Sequence, residues 1–162
     1  MSRSSKRFRD AKDKREAGGF APLPFVVLRS QSFARLTPYA AKLFLDMLAQ
    51  YRGNNNGDLS ARWSLMKQRG WRSPSTLNKA KRELIAKEWI LIARMGGMNN
   101  RPHLYALTCY AIDECNGKLD IGATHSPPSV WKRHEPISEA MKQIQTAAKK
   151  QIATTRGESA ER

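Results

Sequence analysis

At 162 residues the chain can hold one compact domain with flanking segments and bury a real core. Its 29 Lys and Arg against 14 Asp and Glu give a net charge of +15, a balance that calls for a polyanionic partner, nucleic acid before membrane. Two cysteines, Cys109 and Cys115, exclude a disulfide scaffold and suit a reducing compartment. No apolar run approaches the ~18 residues of a spanning helix, and the basic N-terminus lacks the apolar segment of an export signal, so the expected location is cytoplasmic.

Residues 1–19 carry seven cations (Arg3, Lys6, Arg7, Arg9, Lys12, Lys14 and Arg15) against three acids and almost nothing apolar. A segment that cannot bury surface stays disordered, so this is a basic arm, either seeking phosphate or merely solubilising. Phe20 to Leu28 turns apolar with two prolines and should lie extended over the core. Ser30 to Leu36 has room for a turn of helix. Thr37-Pro38 then supplies an N-cap and a first-turn proline. Leu36, Ala40, Leu43, Phe44, Met47, Leu48 and Tyr51 follow at helical spacing, predicting a core helix over 37–52 that stops at Gly53.

Asn54-Asn55-Asn56-Gly57 is a turn cluster, since Asn and Gly tolerate positive φ. Asp58-Leu59 leaves space for a very short strand. Ser60 can cap a second helix to about Arg69, with Trp63 and Met66 inward. Gly70 closes it. Ser73-Pro74 repeats the cap-and-proline start, and Leu77, Ala80, Leu84 and Ile85 give one apolar stripe. The opposite face offers Ser75, Thr76, Asn78, Lys79 and Arg82, with Glu83 the single acid nearby. Small polar groups followed by cations suit a helix entering a DNA major groove N-terminus first.

Trp89 to Arg94 reads as a strand, Gly96 to Pro102 as a loop, and His103 to Thr108 as a second strand, together a hairpin wing. Segment 58–101 holds ten cations against three acids, where an even spread of the excess charge would place about four net charges. Residues 110–135 have no clear period and read as an irregular strap, with Trp131 anchored on the domain. Ser138 caps a last helix over 136–152, whose Ile137, Met141, Ile144, Ala148 and Ile152 make one stripe for docking or for pairing with a second chain. Residues 153–162 read as a disordered tail.

The order of these elements resembles the winged helix-turn-helix domains of plasmid and phage replication initiators and related proteobacterial mobile-element proteins. The residues that carry it are Leu36-Thr37 with Leu43-Phe44, Asn55 to Leu59, Gly70 to Ser73, Thr76-Leu77, Glu83 to Ile85, Trp89-Ile90, Tyr105 to Thr108 and Ile112 to Asp120. The likeness covers residues 22–120. It implies a mainly α fold with a small β-hairpin wing (α+β), a winged-helix domain over 20–109, and duplex DNA as partner. A full initiator adds a second winged-helix domain or a helicase-loader domain. Neither is legible here, so the resemblance implies a transcriptional regulator or a replication or maintenance accessory of a mobile element.

On this reading Ser75, Thr76, Asn78 and Lys79 reach base edges. Arg62, Lys67, Arg69, Arg72 and Arg82 meet backbone phosphates, and Arg94, Asn99, Asn100 and Arg101 form the contact surface of the wing. The alternatives are an RNA-binding module, which the same charge would suit, and a protein–protein adaptor. Other chemistry finds little support. Cys109 and Cys115 are separated by five residues, and His103 and His125 form no second pair, unlike the short paired spacings of structural zinc. Three scattered histidines make no hydrolase triad, and Gly96-Gly97 is no phosphate cradle. The expectation is a non-enzymatic protein with no cofactor, no metal and no membrane partner, able to pair through its last helix.

Overall fold

A computed structural model describes residues 19–97 and 101–136. The basic arm expected over 1–19, apart from Gly19, lies outside the described residues, as do the final helix over 136–152, apart from Pro136, the tail, and Asn99 and Asn100 of the loop. Among the described residues the fold is mixed α+β, with five α-helices and one two-stranded antiparallel sheet. We number the helices α1 (Phe25–Leu28), α2 (Gln31–Ala34), α3 (Pro38–Leu48), α4 (Trp63–Gln68) and α5 (Pro74–Ala86). The strands are β1 (Ile90–Arg94) and β2 (Leu104–Leu107).

The two cap-and-proline starts both form. Thr37 accepts from the Ala40 N–H and Ser73 from the Thr76 N–H, each with proline in the first turn. Glu83 of α5 ties the two helices, its carboxylate accepting from the Thr37 N–H and hydroxyl and from Lys87 Nζ. Burial pushes the Glu83 carboxyl up, but Lys87 and Thr37 overcome this and hold it below its ordinary value. The single acid of α5 therefore serves the joint with α3 rather than the exposed face. Leu43, Phe44, Met47, Leu77, Ala80, Leu84, Trp89 and Ile90 interlock between α3, α5 and β1.

Three boundaries differ from expectation. Phe20 to Leu28 is not wholly extended. Pro24 sits at the N-cap of α1 and its carbonyl accepts from Val27 and Leu28, so a proline that needs no N–H begins a helical turn there. The core helix ends at Leu48 instead of 52. Gln50 and Tyr51 bond back three residues, and the Asn55 side chain takes the Gln50 carbonyl and the Arg52 N–H. Ser60 does not cap α4, which begins at Trp63 behind Arg62 with no side-chain cap. Both backbone groups of Ser60 are instead held by the Gln50 amide at 2.9 Å each, while Leu59 pairs with Tyr105 as an isolated antiparallel bridge. The chain is committed to an extended path until Arg62.

β1 and β2 pair Ile90 with Leu107, Leu91 with Ala106 and Ile92 with Tyr105, with an irregularity before Arg94 meets Leu104. Gly96 permits the close return of the chain, because a Cβ there would collide with the backbone of Arg101, Pro102 and His103. The strap crosses the far face of this hairpin. Ile112 with Leu119 and Ile121 covers Ala93, Ala106 and Leu91. The Asp120 carboxylate accepts from the Met95 N–H at 2.7 Å.

The turn cluster before Leu59 has a second use. Asn56 is fully buried, its Oδ1 accepting from Leu107 N–H and its Nδ2 donating to the carbonyls of Leu107, Tyr110 and Ala111. It replaces strand partners that the hairpin end lacks. Farther on, Trp131 stacks on Trp89 with centroids 4.7 Å apart, and Glu135 accepts from the Gln31 and Ser32 N–H groups at the start of α2. The expected anchoring of Trp131 is thus seen directly.

Candidate nucleic-acid interface

The exposed surface of α5 is set by what its other side buries. Leu77, Ala80 and Leu84 are inside, which turns Ser75, Asn78, Lys79 and Arg82 outward and leaves Thr76 half-buried beside them. None of these cations meets a carboxylate among the described residues. The helix presents short hydrogen-bonding groups at its start and unpaired positive charge farther along.

Two clefts flank it. One, of about 270 Å³, lies at the N-terminus of α5 and is lined by Tyr39 and Lys42 of α3, by Gly70, Trp71, Arg72 and Ser73 of the turn, and by Thr76. The other, also about 270 Å³, opens toward the hairpin between Arg62, Trp63, Lys81, Arg101, His103 and Tyr105. Arg62, Arg72 and Arg101 thus edge the clefts, while Lys67 is exposed on α4.

The turn that aims α5 is held by Asp46, a nearly buried carboxylate on α3. It accepts from Trp71 Nε1 at 2.8 Å, Arg69 Nε at 3.0 Å and Lys42 Nζ at 2.6 Å. Lys42 also donates to the Arg69 carbonyl at 2.9 Å and lies over the Trp71 ring. Gly70, with φ +83°, lets the chain reverse between these two anchored residues. Burial alone would raise the Asp46 carboxyl, but the bonds from Lys42, Trp71 and Arg69 outweigh it and hold it below the ordinary carboxylate value. Asp46 was not singled out by the sequence, because its partners on the turn lie far along the chain.

Of the residues expected at phosphates, Arg69 is therefore engaged with Asp46, whereas Arg62, Lys67, Arg72 and Arg82 have no acidic partner among the described residues. Arg94 is half-buried and donates to the Pro102 carbonyl at 3.3 Å, folding across the start of the hairpin loop. Arg101 is exposed. Sequence reasoning missed Lys81 and His103 in the second cleft and Lys42 in the first. The signal for Lys81 was its place on the flank of α5, beside buried Ala80 and exposed Arg82.

No group of three or more His, Cys, Asp or Glu among the described residues is placed to hold a metal. Cys109 and Cys115 are free thiols, and burial pushes Cys109 up to about 12, so that it stays protonated. No described helix is long and apolar enough to cross a membrane. Comparison of the chain with family models, with curated proteins and with solved structures found no match.

Proposed function

We propose that α4, the turn at Gly70, α5 and the hairpin form a winged helix-turn-helix that binds duplex DNA, with α5 in the major groove. The observation that carries this reading is the outward face of α5. Ser75, Asn78, Lys79 and Arg82 stand together free of carboxylates, between two clefts edged by Arg72, Arg62 and Arg101. Asn78 and Lys79, with Ser75 and Thr76, are assigned to base edges, since Asn suits adenine and Lys suits guanine. Arg62, Lys67, Arg72 and Arg82 are assigned to phosphates. Arg69 is assigned first to the Asp46 joint and only second to DNA. The wing contributes Arg101, with Arg94 bracing the start of its loop.

The role that follows is a transcriptional regulator or a replication or maintenance accessory of a mobile element, as the family resemblance implies. Selection of bound sequences from a random duplex pool, followed by anisotropy titration, tests the reading. If about four to six phosphates are neutralised, log affinity should fall with log salt at a slope of about −4 to −5. A slope near zero, or stronger binding to RNA than to duplex DNA at matched salt, overturns it.

A further inference from the structure

Lys81 is a half-buried cation on α5 with no carboxylate partner among the described residues. Two other half-buried lysines, Lys42 and Lys87, are each held by an acid at 2.6 Å and 2.9 Å. Burying an ammonium without a counter-ion costs free energy, and burial accordingly pushes Lys81 below the ordinary lysine value. What surrounds it adds positive charge instead of cancelling it. Arg62 and Arg101 line the same cleft, Trp63 and Tyr105 form its aromatic wall, and no acid lines it.

His103 completes the donor set. Its Nδ1 accepts from the Gly96 N–H at 3.1 Å, so the neutral ring carries its proton on Nε2 and has an N–H to offer. Two guanidinium forks, an ammonium and an imidazole N–H around one open cleft make a donor set without an acceptor. Phosphate oxygens match it better than a carboxylate does, because they accept from several directions at once while the arginines bind in bidentate fashion.

We propose that the cleft between the start of α4, α5 and the hairpin is a phosphate-binding site, with Lys81 its central cation and Arg62, Arg101 and His103 its rim. The phosphate belongs either to a nucleic-acid strand or to a free phosphate ligand. The strand source rests on the duplex-binding reading above; the anion site itself does not.

The test uses the full chain, with Lys81→Gln and Lys81→Arg as variants. Inorganic phosphate is titrated against chloride at matched ionic strength while the His103 ring resonances are followed by NMR. Duplex affinity is measured against salt in parallel. The wild type should show a saturable His103 shift, Lys81→Gln should lose it, and Lys81→Arg should restore most of it. Thermal stability of Lys81→Gln should be unchanged or higher, since an unpaired buried charge is removed. A strand phosphate makes the salt slope of Lys81→Gln shallower by about one. A slope that is unchanged while the phosphate response is lost assigns the cleft to a free ligand. Saturable phosphate binding by a chain that ignores duplex DNA sustains the site and sinks the DNA reading. If the wild type binds duplex, but neither its phosphate response nor its slope depends on Lys81, the site is overturned and the DNA reading stands.

Discussion

Among the described residues, some cations are held by a carboxylate and others are not. Lys42, Arg69, Lys87, Lys118 and Arg133 each lie 2.6–3.0 Å from a carboxylate. Arg62, Lys67, Arg72, Lys79, Lys81, Arg82 and Arg101, on or beside α4, α5 and the hairpin, have no such partner among the described residues; Arg29, Arg35, Arg52 and Lys132 lack one too but lie elsewhere. The division runs through single elements. On α5, Lys79, Lys81 and Arg82 are unpaired while Glu83 faces α3. In the turn, Arg69 is fixed by Asp46 while Arg72, three residues on, is not. A net charge says only that a polyanion is welcome. The pairing pattern says which cations already serve the fold, and the gathering of unpaired ones around α5 singles out that surface for the test.

The sharpest test of the paired set is Asp46→Ala. It strips the acceptor from a buried indole N–H and the anchor from two cations. Because Lys42 and Arg69 are nearly half-exposed, we discount their share and expect a loss of about 2–3 kcal/mol, read by thermal or denaturant unfolding. A loss near zero would mean that the joint does not hold the turn. The same group sets an acid limb. Since its folded pKa is lowered, ionised Asp46 contributes stability above the ordinary carboxylate pKa of about 3.9, and that contribution drains away as pH falls through the lowered value. Asp46→Asn should flatten this limb.

The unpaired set is tested next. Asn78→Ala and Lys79→Ala should each cost roughly 1–3 kcal/mol of discrimination between the selected site and random duplex, with stability kept within about 0.5 kcal/mol. Retention of the full specificity ratio by both would move base reading away from α5. Arg82→Ala should weaken all sequences alike and make the salt slope shallower by about one. Lys87→Ala, on the same helix but tied to Glu83, should leave the slope alone and lower stability by about 1 kcal/mol. If the two exchange these effects, the division is drawn in the wrong place. The smallest effect belongs to Lys118→Ala. Its pair with Asp58 is largely exposed, so about 0.2–1 kcal/mol of stability and no DNA affinity should be lost.

Much of the scaffold was legible because its signals are local. Thr37-Pro38 and Ser73-Pro74 each announce a helix, and the apolar stripe of α5 fixes which residues face out. The hairpin was legible from its two strands and glycine loop. What could not be read depends on partners distant in sequence. Ser60 has the right chemistry for a cap, but Gln50 and the Leu59–Tyr105 bridge claim its backbone first. Asn56 reads as a turn former in a run of asparagines, yet its amide is the plug at the end of the hairpin. Of the site, the face of α5 was visible in the sequence. The Asp46 joint and the meeting of Lys81 and His103 on one cleft were not, because each needs elements brought together by the fold.

The Trp89–Trp131 stack has a consequence for optics. Two indoles with planes 12° from parallel and centroids 4.7 Å apart share their excited states, so their emission and near-ultraviolet circular dichroism should differ from those of separate chromophores. Trp131→Phe should abolish that signature. The other two indoles sit elsewhere, Trp63 in one cleft beside α5 and Trp71 in the other. The stack thus reports whether the strap is seated on the core at Trp89, while Trp63 and Trp71 would respond to a ligand bound in either cleft.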